Sequence, residues 1–365
     1  MAVPRRGVRY RHLTSLVVIL VVLFLLTLYV LFHIQSLPKP TPIPSETVSS
    51  GGWHTIYFTD PTDPSASTLR GGPDASLAEA IDTAQYSVDI AIYRLDLWSV
   101  RDALIRAHRR GVTVRMITES DHILEAEIAD LEAAGIPVIG DHRDHLMHHK
   151  FVVIDGLEVW TGSMNFTVNG AYRNNNNLIR IHSSRVAQDY TREFEEMFVE
   201  DRFGALSKAD TPYPKATVDG IPIEIYFSPD DGVVARLVDI VRDATSSIDF
   251  MAYAFTSDIL AEAMLARAQT GVVVRGVMER GQASNPGSEY ERLRQAGLDI
   301  RLDSNPGNMH HKVIIIDGVT VITGSYNFSH SAEQSNDENV LILYDVAVGT
   351  KYLLEFNRVF DAAMP

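Results

Sequence analysis

The stretch His148-His149-Lys150-Phe151-Val152-Val153-Ile154-Asp155, followed by Gly162-Ser163-Met164-Asn165, is written twice in this chain. It returns 162 positions downstream as His310-His311-Lys312-Val313-Ile314-Ile315-Ile316-Asp317, followed by Gly324-Ser325-Tyr326-Asn327. The apolar middle of each copy reads as a buried strand. Strand side chains alternate, so His148 and Lys150 share one face, as do His310 and Lys312, while His149 and His311 point the other way. Asp155 and Asp317 fall in the turns that follow. Ser163 and Asn165, like Ser325 and Asn327, are again two apart and follow the neighbouring strand. One sheet edge thus gathers an imidazole, an ammonium, a hydroxyl and a carboxamide. Such a donor-rich cradle suits an anionic tetrahedral group.

If the two copies face each other, their cradles merge around one phosphate. Two histidines on opposite sides of a phosphodiester permit a defined reaction. One imidazole attacks phosphorus and forms a phosphohistidine. The other protonates the leaving alcohol and then deprotonates the incoming water or alcohol. Lys150, Lys312, Asn165, Asn327, Ser163 and Ser325 would bind the phosphate oxygens. No metal is needed to neutralise charge, and neither a metal nor another cofactor is expected. Pressure to keep a core explains repeated Val, Ile and Gly, but not repeated Lys, Ser and Asn. A zinc site from His142, His145, His148 and His149 has loose spacing and no counterpart in the second copy.

The repetition extends outward. From Trp53 onward each half alternates short apolar strands with amphipathic helices that end at glycines such as Gly111 and Gly271. A period of this length means two similar domains and not a solenoid. Alternation of this kind implies α/β sandwich domains with mostly parallel sheets. The expected division is domain 1 over 53–205, a connector over 206–220 holding Pro212 and Pro214, and domain 2 over 221–365.

Before these lies a different composition. Arg5, Arg6, Arg9 and Arg11 mark a basic stretch over 1–12, and no charged residue occurs from 13 to 32. Twenty apolar residues suffice to span a bilayer as a helix, and flanking arginines favour the cytoplasmic side. A single-pass anchor over 13–36 is therefore expected, with the N-terminus cytoplasmic and the body extracytoplasmic. The length favours an uncleaved anchor over a signal peptide. The stretch 37–52, LPKPTPIPSETVSSGG, reads as an extended spacer. The chain carries a formal net charge of −15 and no cysteine. Disulfides, thiolate catalysis and cysteine zinc sites are excluded. An acidic body also offers no long-range attraction to polyanions.

The pattern His-x-Lys-x4-Asp followed by Gly-Ser-x-Asn resembles the phospholipase D superfamily, in both copies at every defining position. The resemblance implies two αβα-sandwich domains sharing one active site, and phosphoryl transfer through a phosphohistidine. It carries function onto His148, Lys150, Ser163, Asn165, His310, Lys312, Ser325 and Asn327, with Asp155 and Asp317 as supports. Family members often place a carboxylate shortly after Gly-Ser-x-Asn to orient a catalytic histidine. The second copy has Glu338 there, whereas the first has Asn176. If each stands behind the histidine of its own copy, His310 holds its proton better and His148 is more readily neutral. His148 is then the nucleophile and His310 the general acid, and similar family members most often use the N-terminal histidine in that role. A phospholipid is the expected substrate. The alternatives are an exported or anchored nuclease of the same mechanism, a cardiolipin synthase-like phosphatidyltransferase, and a non-catalytic scaffold that binds anionic lipid. Tyr93, Tyr253, Phe255, Trp98 and Met309 are candidates for an apolar entrance, and Arg94, Arg173 and Arg280 for contacts to a polynucleotide. No obligate protein partner is evident.

Overall fold

In a computed structural model of the protein, which describes residues 52–364, the repeat becomes two sheets. The first contains β1 (His54–Phe58), β2 (Ser87–Ile92), β3 (Thr113–Thr118), β4 (Val138–Gly140), β5 (Lys150–Ile154), β6 (Glu158–Gly162) and β7 (Asn177–His182), in the order β1-β7-β6-β5-β2-β3-β4. The second contains β8 (Lys215–Val218), β9 (Ile221–Ser228), β10 (Ser247–Ala252), β11 (Val273–Met278), β12 (Asp299–Leu302), β13 (Lys312–Ile316), β14 (Thr320–Gly324) and β15 (Glu338–Tyr344), in the order β12-β11-β10-β13-β14-β15-β9-β8.

The sheets are mixed, which corrects the expectation of mostly parallel ones. Only β2–β3–β4 and β10–β11–β12 pair in parallel, with helices crossing between them. The strands from each His motif onward pair antiparallel, β5 with β6 and β13 with β14 across short turns, and β6 with β7 and β14 with β15 across longer segments that hold a short helix. The hairpin after β5 turns on Asp155 and Gly156, both at positive φ. Asp155 also accepts backbone N–H bonds from Gln85, Tyr86 and Ser87. Asp317 grips Thr245, Ser246 and Ser247 in the same way. Both aspartates therefore support the fold at the far end of the strand, as the resemblance implied. The expected connector 206–220 contains β8, an edge strand of the second sheet. The expected basic stretch, membrane anchor and nearly all of the spacer lie outside the described residues. Among the described residues no helix is long and apolar enough to cross a membrane.

Helices α1 (Pro73–Thr83), α2 (Trp98–Arg109) and α3 (Ala126–Ala133) belong to the first repeat, followed by short α4 (Val168–Tyr172) and long α5 (Ser184–Phe198). Their counterparts are α6 (Val233–Arg242), α7 (Asp258–Gln269), α8 (Tyr290–Gln295), α9 (His330–Gln334) and α10 (Val346–Ala362). One hydrophobic cluster joins α5, α10 and residues of both sheets. Tyr190 of α5 packs on Phe227 of β9 at 5.2 Å, and Tyr352 of α10 packs on Phe58 of β1 at 5.1 Å. Each such buried aromatic contributes about 1.5–3 kcal/mol of burial free energy. The two repeats thus share a core, which fixes the facing of their His motifs.

A cost accompanies this junction. Asp189, Glu193 and Glu196 of α5 lie among Asp210, Asp230 and Asp231, with Arg192 the cation beside them. Asp189 is fully buried; its Oδ1 accepts the Tyr213 N–H at 2.7 Å and its Oδ2 has no partner. Burial, reinforced by Asp231, pushes Asp189 up to about 7. Burial, Glu193 and Asp231 push Asp230 up to about 8. Carboxyls raised in the folded state give stability that is present at low pH and lost as pH rises through those values. The protein should therefore melt higher near pH 6 than above pH 8, and Asp189→Asn should flatten that slope while keeping the Tyr213 bond. Thermal melts across this range read it at roughly 2–4 °C per kcal/mol, and a pH slope unchanged in D189N would show that Asp189 does not cause it.

Candidate active site

Each His motif enters its sheet one residue after the histidine pair, so the two histidines sit at the strand mouth. Both mouths are stitched to the opposite repeat by backbone. The His148 N–H donates to Asp337 O at 2.9 Å, and the His310 N–H donates to Asn175 O at 2.9 Å. Two carboxylates missed by sequence reasoning hold each mouth from within its own repeat. Glu119 accepts the N–H of Met147 at 2.8 Å, and Glu279 accepts that of Met309 at 2.7 Å. Their signal was their equivalent position directly after β3 and β11.

His148 and His310 are each 7% exposed, and Lys150 and Lys312 are fully buried or nearly so. Each ammonium donates to the carbonyl of its own histidine, Lys150 to His148 at 2.8 Å and Lys312 to His310 at 3.0 Å. The same ammoniums lie 5.2 Å from the Tyr93 ring and 4.8 Å from the Tyr253 ring. Those rings also pack on His148 at 5.1 Å and His310 at 4.6 Å. Tyr93 and Tyr253 therefore line the site. Phe255 and Met309 are core residues, and Trp98 is half exposed at the start of α2. Arg94 pairs with Glu125, and Arg173 donates to Asn169.

The braces behind the histidines are crossed between repeats, contrary to the same-copy expectation. Glu338 Oε2 stands 2.9 Å from Nδ1 of His148. That contact is electrostatic more than a linear hydrogen bond, since Nδ1 has no well-aligned acceptor. Asn176 stands behind His310, whose Nδ1–H donates to Asn176 Oδ1 at 2.9 Å and to Ser163 O at 3.0 Å. The amide orientation is set by the other end, because Asn176 Nδ2 donates to Gly170 O. The physical reason for the crossing is that the residues after each Gly-Ser-x-Asn form the bridge to the other repeat, Asp337 to Met147 and Asn175 to Met309.

Ser163 and Ser325 are tied to the segments that carry the braces. Ser163 Oγ donates to Asn176 Oδ1 at 2.9 Å and accepts the Asn177 N–H at 3.0 Å, and Ser325 Oγ accepts the Asn339 N–H at 3.0 Å. Both are fully buried. Ser163 Oγ thus donates within the bracing segment, whereas Ser325 Oγ accepts from Asn339. Asn165 and Asn327 each keep a buried side-chain oxygen without a partner, which marks carboxamides not used in holding the fold. His149 and His311 point inward, onto Glu193 at 2.9 Å and Glu355 at 3.1 Å. Among the described residues no cluster of histidines and carboxylates could hold a metal ion.

The electrostatics follow from burial. Burial first, then Lys150 and Lys312, holds His148 well below the ordinary imidazole value, against the pull of the Ser325 carbonyl. Burial, Lys312 and Lys150 do the same to His310. Burial and Lys312 lower Lys150, and burial lowers Lys312 to about 7. Burial raises Glu338 to about 7 against the two lysines. The cradle carries more positive than negative groups, and a bound phosphodiester anion would favour the charged lysines and a protonated His310.

The comparisons agree with this geometry. The family profile described as "Cardiolipin synthase, PLD-like domain" matches residues 77–198 and again 237–360, more than half of the chain. A mitochondrial cardiolipin hydrolase of Homo sapiens is 38% identical over 135 residues, 37% of this chain and 54% of that protein. A phospholipase D of Rickettsia prowazekii is 36% identical over 127 residues, 35% of this chain and 62% of that protein. The chain thus spans less than two thirds of either relative's length. The crystal structure of phosphatidylserine synthase from Haemophilus influenzae Rd KW20 covers 79% of this chain and 83% of its own, with a TM-score of 0.57 and 12% identity, a likeness of fold. Matched once per repeat by one profile, with both motif copies converging on one cleft, the chain belongs to the phospholipase D superfamily.

Proposed function

We propose that this protein is a phosphodiesterase of phospholipids that works through a phosphohistidine on His148 and needs no metal. The observation that carries it is the convergence of His148, Lys150, His310 and Lys312 on one buried site, each histidine braced at Nδ1 from the opposite repeat. Engagement of Nδ1 leaves Nε2 of each ring for chemistry. Nε2 of His148 attacks phosphorus, the P–O bond to the leaving alcohol breaks, and His310 gives that oxygen its proton. Water then attacks the phosphohistidine as His310 takes a proton back, releasing a phosphomonoester and free His148. Lys150, Lys312, Asn165 and Asn327 hold the equatorial oxygens.

The crossed braces invert the ground-state argument but leave the assignment standing for a stronger reason. Attack on phosphorus builds positive charge on the nucleophilic ring, while the acid loses it. A carboxylate at 2.9 Å stabilises the first change and opposes the second. Glu338 therefore belongs behind the nucleophile, and the neutral Asn176 behind the acid.

Lipid is favoured over nucleic acid by the acidic body and by the names of the cardiolipin hydrolase and phospholipase D relatives. The apolar segment over 13–32 supports a site held beside a membrane, with the catalytic body extracytoplasmic. Full-length protein in detergent, with a chelator present, should cleave cardiolipin, phosphatidylglycerol or phosphatidylcholine in mixed micelles and leave single-stranded DNA intact. Cleavage of DNA alone would replace the lipid reading with the nuclease one. Loss of all turnover with chelator would sink the metal-free mechanism.

A further inference from the structure

The braces are part of a larger asymmetry. Asn336, Asp337 and Glu338 grip the segment before His148 residue by residue. Asn336 Oδ1 accepts the Leu146 N–H at 3.2 Å, and its Nδ2 donates to Glu338 Oε1 at 3.1 Å. Asp337 exchanges backbone hydrogen bonds with Leu146 and His148 at 3.0 and 2.9 Å. Its carboxylate is fully buried and accepts from Arg143 and from the Gly204 N–H. Arg143 also donates to Ser335 O and Asp141 Oδ2, both at 3.1 Å. One guanidinium thus ties the strand mouth of the first repeat to the segment of the second that carries Glu338.

The same positions in the other half are all amides. Arg143 corresponds to Asn305, Asp337 to Asn175 and Glu338 to Asn176, each at the 162-residue offset. Asn305 Nδ2 donates to Asn175 Oδ1 at 2.9 Å, Asn308 N–H donates to Asn174 Oδ1 at 3.0 Å, and Asn176 braces His310. The two clamps do the same geometric task, each beside an equivalent aspartate, Asp141 or Asp303, yet the charged Arg143, Asp337 and Glu338 all lie on the His148 side. A fold-holding role alone would be served equally by either set, as the amide half demonstrates.

We infer that Arg143 and Asp337 are positioning residues that hold His148 and Glu338 in register across the repeat boundary, and so set the rate of attack on phosphorus; Asn305 and Asn175 do this for His310. The inference rests on the proposed role of His148. Misplacing a reacting group by about 1 Å costs roughly 10²-fold in rate.

The test compares one phosphodiester carrying a 4-nitrophenol leaving group with its alkyl counterpart. The phenolate leaves without help, so in kcat/KM, which reports the first step, a defect in the acid vanishes on it and a defect in the nucleophile persists. Arg143→Gln strands the Asp337 charge and risks misfolding. The decisive variant is therefore the double R143N/D337N, which installs the amide pair already present in the other half. It should melt near wild type and lose roughly 10²-fold in kcat/KM on both substrates. Asn305→Ala should lower kcat/KM for the alkyl substrate alone. Wild-type rates in the double variant on both substrates would overturn the inference. A loss on the alkyl substrate only would also overturn it, and would place the acid at His148. A wild type without turnover on either diester would end the phosphodiesterase reading alone. The clamp would then be decided by NMR titration of the imidazoles. In the double variant the His148 titration should move to lower pH as Glu338 departs, and that of His310 should stay; movement of both or neither would overturn the clamp.

Discussion

Given a phosphodiester with a 4-nitrophenol leaving group, the His310→Ala protein should release about one equivalent of nitrophenolate and then stall, while His148→Ala should release none. Steady turnover on a lipid substrate should fall by roughly 10⁴–10⁶-fold in both, as expected for members of one catalytic unit. The difference lies in where each variant stops. Without His310 the activated leaving group still departs and the adduct forms on Nε2 of His148. Water then lacks its base, so the adduct persists. Without His148 there is no nucleophile opposite the leaving oxygen, because His310, fixed through Nδ1 at 2.9 Å from Asn176 and 3.0 Å from the Ser163 carbonyl, serves that oxygen as the acid. Acid-labile, alkali-stable phosphate on the peptide holding His148 completes the result. A burst from His148→Ala with label on His310 would reverse the roles, and a burst from neither variant would remove the covalent intermediate.

The repeated motif made the pairing of two catalytic sets legible, because residue type and an even spacing along a strand decide which groups share a face. It could equally place Asp155 and Asp317 in supporting turns, since Asp-Gly after a strand demands positive φ. What it could not show was reach across the repeat boundary. An offset of 162 says that Glu338 and Asn176 are equivalent, not which histidine each meets. That depends on the segments 174–177 and 336–339 crossing to the other strand mouth, a tertiary arrangement held by the shared core of α5 and α10. For Ser163 the limit is related: sequence places a hydroxyl beside the cradle, but its O–H donates to Asn176 Oδ1 of the brace. Arg143 lies outside the repeated motif, which does not single it out. Its signal was present, in that Arg143, Asp337 and Glu338 are all charged where Asn305, Asn175 and Asn176 are all amides.

Moving charge between the two braces should move opposite limbs of the pH profile. Glu338→Gln is expected to lower kcat/KM by roughly 10²–10³-fold, comparable to removing one preorganised electrostatic partner of a transition state. The shape should largely survive, because Gln keeps an oxygen for the Asn327 N–H, now at 3.1 Å from Glu338, and gives up only the acceptor of the Asn336 amide. The nucleophile works as the neutral ring, so the acid limb of kcat/KM reports the ionisation of His148. Without Glu338 that ring gives up its proton more readily, and the acid limb should shift to lower pH beneath a reduced plateau. Asn176→Asp does the converse to the other ring. The acid works as the cation, so the alkaline limb reports His310, and a carboxylate 2.9 Å from its Nδ1 should hold the proton to higher pH. Its plateau should also fall, since a better-held proton is a poorer gift to the leaving alcohol, and this loss should disappear on the 4-nitrophenyl ester. If the two variants moved the opposite limbs, with E338Q displacing the alkaline side, the carboxylate would stand behind the acid and His310 would carry the phosphoryl group.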